Sequence, residues 1–211
     1  MKNAIILCLC LLLFFSCNTE SVLDKEPEEP TQVMNLLKNG NCERWSTLLS
    51  GNKYYLDGWS LKDNKESVFR EKGVVYEGQY AAKLCTPKSG ITAFIGQSIY
   101  VHPGHRLRLF FRYYLEEGSE NNARTYCYFG ETASSNIPID VLNTFYDSET
   151  LKIIRGGGYG LSTFPKETGV WKTFDYTIQV PAIAYNFVFE IRSYFGTTLY
   201  VDDCYVIDLD F

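Results

Sequence analysis

The chain carries little of what catalysis needs. Its 211 residues include two histidines, His102 and His105, which flank a Pro-Gly turn and read as solvated. No cysteine and histidine doublets stand at zinc or iron spacing. No nucleophile elbow and no metalloprotease motif is present. The glycine-rich run Gly156-Gly157-Gly158-Tyr159-Gly160 is not followed by Lys-Ser/Thr, so it is no phosphate loop and reads as a flexible loop near a cleft. A glycosidase needs two facing carboxylates, and Glu190 has no evident partner. Positive charge is also short: 20 Lys and Arg against 25 Asp and Glu give −5 and a pI near 5.1, which argues against a nucleic-acid partner. Helical periodicity is missing beyond residue 36, which argues against βαβ architecture. These absences leave a non-catalytic, all-β protein as the expectation.

What is present is aromatic and strand-forming. Hydrophobic residues make up 45%, with 16 Tyr and 14 Phe. The first residues form a targeting segment: Lys2, an apolar run Ala4–Phe15 too short to span a bilayer, then Ser16-Cys17. That ending resembles a bacterial lipobox. It implies a signal peptide over 1–16, lipidation of Cys17, and a membrane anchor without a transmembrane helix. Residues 17–32 read as an acidic, proline-rich tether around Glu26-Pro27-Glu28-Glu29-Pro30. An acidic stretch at that place resembles the surface-export signal of Bacteroidetes lipoproteins, so the expected location is the outer membrane or cell surface. Beyond the tether, Cys42, Cys85, Cys127 and Cys204 are compatible either with disulfides or with buried free thiols.

From residue 33 to 211 one domain is expected. The order of strand-like runs is Cys42–Trp45, Trp59–Leu61, Ser67–Glu71, Tyr80–Thr86, Thr92–Val101, Arg106–Glu116, Ala123–Phe129, Trp171–Val180, Asn186–Tyr194 and Thr198–Leu209, with weak candidates at Ile139–Phe145 and Leu151–Arg155. The most informative run is Val101–Leu115. Leu107, Leu109, Phe111 and Tyr113 fall on one face and Arg108, Phe110, Arg112 and Tyr114 on the other. The first set is a core stripe. The second interleaves guanidinium forks with rings, which suits a polar ring-shaped ligand such as a sugar; a solvated face or an oligomer contact is the plainer alternative.

The ordered series NLLKNGNCERW, DGW, YEGQYAAKL, IGQSIYVHPGHRLRLFFRYY, WKTFDYTIQVP and TTLYVDDCYVIDL resembles carbohydrate-binding modules of families four and nine, in the galactose-binding-like jelly-roll superfamily. The resemblance covers about residues 35–209. It implies a β-sandwich jelly roll. It also implies a structural calcium held by Glu43, Glu77 and Asp202 with backbone carbonyls near Asn41 and Tyr80, a donor set of hard oxygens. Trp59 and Trp171 read as packing residues. A glycan is expected on one concave sheet, contacted by Arg108, Phe110, Arg112, Tyr114, Tyr126, Glu190, Arg192 and Tyr194, with tyrosines as stacking platforms and the charged groups bonding hydroxyls. The expected function is binding of an oligo- or polysaccharide by a surface lipoprotein, in the service of glycan capture. An adhesin or scaffold meeting an envelope protein is the alternative.

Overall fold

The structure is a computed structural model, and it describes residues 34–47, 54–61, 67–86, 92–118, 122–155 and 167–211. The signal segment, Cys17, the tether and the glycine-rich run at 156–160 lie outside the described residues. No described helix is long and apolar enough to cross a membrane.

Eleven strands and two short helices make up the described chain. The strands are β1 (Trp45–Thr47), β2 (Tyr54–Leu56), β3 (Val68–Glu71), β4 (Ala81–Thr86), β5 (Ala93–Tyr100), β6 (Arg106–Glu117), β7 (Ala123–Thr125), β8 (Tyr128–Gly130), β9 (Trp171–Gln179), β10 (Asn186–Ser193) and β11 (Thr197–Asp208). They form an antiparallel five-stranded sheet, β3-β4-β11-β6-β9, and an antiparallel four-stranded sheet in which β10 pairs β5 on one side and β7 and β8 on the other. β1 and β2 form a separate hairpin. The fold is an all-β sandwich of the jelly-roll class.

Period-two patterning explains the layering. On β6, Leu107, Leu109, Phe111, Tyr113 and Leu115 are buried while Arg108, Phe110, Arg112 and Tyr114 are half-exposed. On β10, Phe187, Phe189 and Ile191 turn to the same interior from the other sheet. Phe111 joins the layers: it stacks on Phe174 of its own sheet, ring centroids 4.5 Å apart, and meets Phe189 edge-on at 5.9 Å. Burying such a ring contributes about 1.5–3 kcal/mol. Trp59 is buried as expected, its indole N–H donating to the Asn39 carbonyl at 3.1 Å.

Five runs depart from the sequence reading. Ile139–Phe145 and Leu151–Arg155 are not strands. They lie in α1 (Ile139–Leu142) and α2 (Ser148–Arg155). The start signal for α2 is visible in retrospect: Asp147 Oδ1 accepts the Thr150 N–H at 2.7 Å, Glu149 sits in the first turn, and Leu151 and Ile154, three apart, are buried. Ala123–Phe129 is broken in two, because the Cys127 N–H donates to Ile154 O on α2 instead of to a strand. The run Cys42–Trp45 is mostly turn, entering β1 only at Trp45, and Trp59–Leu61 contributes a single bridge, Ser60 to Gly96.

Candidate functional site

The residues expected to share one ligand face lie on two. Arg108, Phe110, Arg112 and Tyr114 project from the outside of the five-stranded sheet. Tyr126, Glu190, Arg192 and Tyr194 belong to the four-stranded sheet and the chain beside it. The reason is topological. β6 and β10 are in different sheets and share only the interior between them, so outward residues on the two strands point in opposite directions.

The five-stranded face is paired except at Arg112 Nε, which is buried without a hydrogen bond and lies 4.0 Å from Asp203 Oδ2. Arg108 makes a two-pronged bond to Asp175, Nε to Oδ1 at 2.8 Å and Nη2 to Oδ2 at 2.6 Å. The Asp175 carboxyl is held below its ordinary range by that guanidinium, and Arg108 is raised in turn. The Arg112 guanidinium lies over the Tyr76 ring at 4.6 Å and the Phe110 ring at 5.0 Å, and donates to Thr173 Oγ1. Tyr114 packs beside Trp171 at 5.7 Å and edge-on to Tyr200 at 5.6 Å, while Tyr76 meets Trp171 at 5.6 Å. Trp171 is therefore a half-buried member of this outer face and not a core residue, since it stands directly opposite the outward-facing Tyr114 in the ladder.

The four-stranded face is arranged differently. Glu190, buried, and Arg192 are bonded to each other, and the Arg192 guanidinium lies 3.6 Å above the Tyr126 ring and 5.8 Å from that of Phe94. Burial opposes the charge on Arg192, but hydrogen bonds to Glu190 and Tyr194 outweigh it, and the group is held above its ordinary range. Arg124 lies over the Tyr194 ring at 4.0 Å. Opposite Glu190 on β5 stands Gly96, so the row has no side chain there. A Cβ at Gly96 would come within 3.2 Å of the Glu190 Cγ, so the position is closed even to alanine without movement. Two donors on these strands are buried without a hydrogen-bond partner: Arg124 Nε and Asn186 Nδ2. Sequence reasoning missed Phe94, Gly96 and Asn186. Alternation puts them on one face of their own strands, and only the register sets Phe94 beside Arg192 and Gly96 beside Glu190.

Two of the three carboxylates assigned to calcium, Glu43 and Asp202, are engaged by backbone. Glu43 Oε1 accepts the Gln79 and Tyr80 N–H groups at 2.8 and 3.0 Å. Asp202 Oδ2 accepts those of Tyr76 and Glu77 at 3.1 and 3.2 Å, and its Oδ1 that of Asp203 at 2.8 Å. Burial pushes the Asp202 carboxyl up to about 6 in spite of these three donors. Gly78, at φ +74°, sits where a Cβ would lie 2.3 Å from Glu43 Oε1. Among the described residues Glu43, Glu77 and Asp202 do not converge as a three-ligand group. As placed, this donor set does not fit a calcium cage. Amide N–H groups of the 76–80 turn point at both carboxylates, and at Asp202 they do not offset burial.

The two histidines are not simply solvated. His105 Nδ1 lies 3.1 and 2.9 Å from the two Asp208 oxygens, and His102 Nδ1 lies 3.4 Å from Oδ2.

Searches of family profiles and of curated proteins match nothing. Solved structures do match. One described as a family 16 carbohydrate-binding module superposes with a TM-score of 0.51 at 18% identity, over 82% of this chain and 100% of the other. The fold is shared with a carbohydrate-binding module. A cyclase from Fischerella sp. in its apo form gives the same TM-score at 11% identity, covering 82% and 94%. So does the enzymatically active domain of bacteriophage CBA120 tailspike protein 4, at 15% identity, covering 82% of this chain and 21% of that one. At these identities the likeness describes architecture, and it spans binding proteins and enzymes alike.

Proposed function

We propose that the protein binds an oligo- or polysaccharide without cleaving it, on the outer face of the four-stranded sheet. The observation that carries this reading is the pairing of open polar capacity with flat rings. Arg124 Nε and Asn186 Nδ2 are buried donors lacking partners, and they lie on strands of the sheet that presents Glu190, Arg192 and Phe94, with Tyr126 beside it. A buried donor without an acceptor costs about 1–3 kcal/mol. A ligand rich in hydroxyls would satisfy such donors, and its apolar ring faces would lie on Tyr126, Phe94 and Tyr194. The five-stranded face offers one such donor, Arg112 Nε, against two here, and its Arg108 is already held by Asp175. The likeness in fold to a carbohydrate-binding module supports the reading. A lipid on Cys17 would hold the domain at the outer membrane surface, where a glycan could be captured.

Affinity electrophoresis against a panel of polysaccharides tests this. Tyr126→Ala and Arg124→Ala should each weaken retention about tenfold or more with unchanged circular dichroism, and Arg112→Ala and Tyr114→Ala should not. The opposite result moves the site to the five-stranded face. The aromatic row Tyr76, Trp171, Tyr114 favours a second reading, contact with an envelope protein. Retention of no glycan together with capture of a protein partner sensitive to Tyr114→Ala would decide for it.

A further inference from the structure

His102 and His105 come from the turn between β5 and β6, and Asp208 from the last residue of β11, 103 positions beyond His105. No sequence motif links them; the fold brings them together. Both imidazoles aim the same atom, Nδ1, at one carboxylate. Their ring centroids are 4.8 Å apart at 33°. All three donor atoms lie within 4.8 Å of one another, and this is the only such group of three or more among the described residues. The Asp208 side chain is 6% exposed, and those of His102 and His105 are 40% and 31% exposed. One ligand is thus fixed in the wall and two stand open to water.

We propose that His102, His105 and Asp208 form a binding site for a borderline transition-metal cation of the zinc class. Two neutral imidazoles and one carboxylate are donors that zinc, copper and nickel prefer, whereas calcium and magnesium call for six or more oxygens. The spacing is right for tetrahedral coordination. Bonds of about 2.0 Å place neighbouring ligand atoms roughly 3.3 Å apart. The two histidine-to-Asp208 spacings through Oδ2 are 2.9 and 3.4 Å, and the three ligand atoms lie within 4.8 Å of one another. Asp208 Oδ1 also accepts the Asp210 N–H at 3.0 Å, which orients the carboxylate from behind. Tyr100 stands edge-on to His102 at 5.1 Å and Phe211 lies at 5.8 Å, so one flank is aromatic. The fourth position faces solvent and takes water or a donor from outside. An ion here would clamp the β5–β6 turn to the end of β11, at a place separate from both sheet faces.

The test is titration of the full chain with zinc chloride against a chromophoric chelator, with cobalt chloride as a spectroscopic probe. One equivalent of zinc should bind, and cobalt should develop the visible band of four-coordinate Co²⁺. His105→Ala and Asp208→Asn should weaken zinc binding about tenfold or more and abolish the cobalt band. His102→Ala, at a more exposed position, serves where either of these fails to fold by circular dichroism. Glu43→Gln should leave binding unchanged. Failure of the wild-type chain to bind zinc tighter than about 100 μM, a concentration at which exposed histidine pairs alone suffice, overturns the proposal. So does equal affinity in folded His102→Ala and His105→Ala proteins.

Discussion

Asp202 offers a measurement that separates an amide-capped carboxylate from a calcium ligand. Its side chain is buried, at 1% exposure, and burial lifts its carboxyl from an ordinary value near 3.8 to about 6. In the unfolded chain the group titrates near 3.9. A carboxyl raised on folding is held protonated more tightly by the native state, so its contribution favours folding fully below about pH 4 and is lost as pH rises through about 6. A shift of roughly two units is worth about 3 kcal/mol. Urea unfolding of the wild type from pH 4.5 to 7.5 should therefore show a downward component that Asp202→Asn lacks. Subtracting the two curves removes whatever the two proteins share. The asparagine keeps one acceptor oxygen, which can serve the Asp203 N–H or the Tyr76 and Glu77 N–H groups but not all three, so the difference in slope, not the absolute stability, is the readout. A calcium ion on Asp202 would favour the ionised form and flatten the wild-type slope, and adding calcium would raise the melting temperature. Identical slopes for wild type and Asp202→Asn in EDTA would refute the assignment of this carboxyl as one raised by burial.

Three further expectations follow from packing and backbone. Phe111→Ala should cost about 3–5 kcal/mol in urea unfolding, since the ring is fully buried between Phe174 and Phe189 and no neighbour can fill its volume. Gly78→Ala should destabilise by about 1–3 kcal/mol, because φ is +74° and the new methyl would displace Glu43 from the turn it caps. Cys42, Cys127 and Cys204 should resist iodoacetamide in the native protein and react after denaturation, while Cys85 reacts measurably faster, as mapped by peptide mass spectrometry. The first three are fully buried, the Cys204 thiol is pushed well up by that burial, and Cys85 is half-buried.

Much of the architecture was legible because period-two alternation is a local signal. β6, β9, β10 and β11 fall within a residue or so of the expected runs, and the inward faces of β6 and β10 match residue for residue. The same signal says which residues turn outward but not which sheet carries them. That is why Arg112 and Arg192 looked like neighbours and lie on opposite sides. Sheet membership depends on pairing between residues far apart, such as Asp202 with Arg112 and Gly96 with Glu190, and one strand's pattern holds no trace of it. The helix at Ser148–Arg155 was missed because its apolar positions span barely two turns, too few to outweigh the surrounding β pattern. The His102, His105, Asp208 group could not be found by spacing at all.

Asn35 ties the start of the domain to its last strand: its side-chain amide donates to the Cys204 carbonyl at 2.8 Å and its oxygen accepts the Val206 N–H at 3.0 Å, beside a bridge to Ile207. β11 is the middle strand of the five. Any mechanical load arriving from upstream of residue 34 would thus be passed to the best-supported strand of the sandwich and not to an edge. Such a load would have to break these bonds together before it could peel the first residues from the sheet.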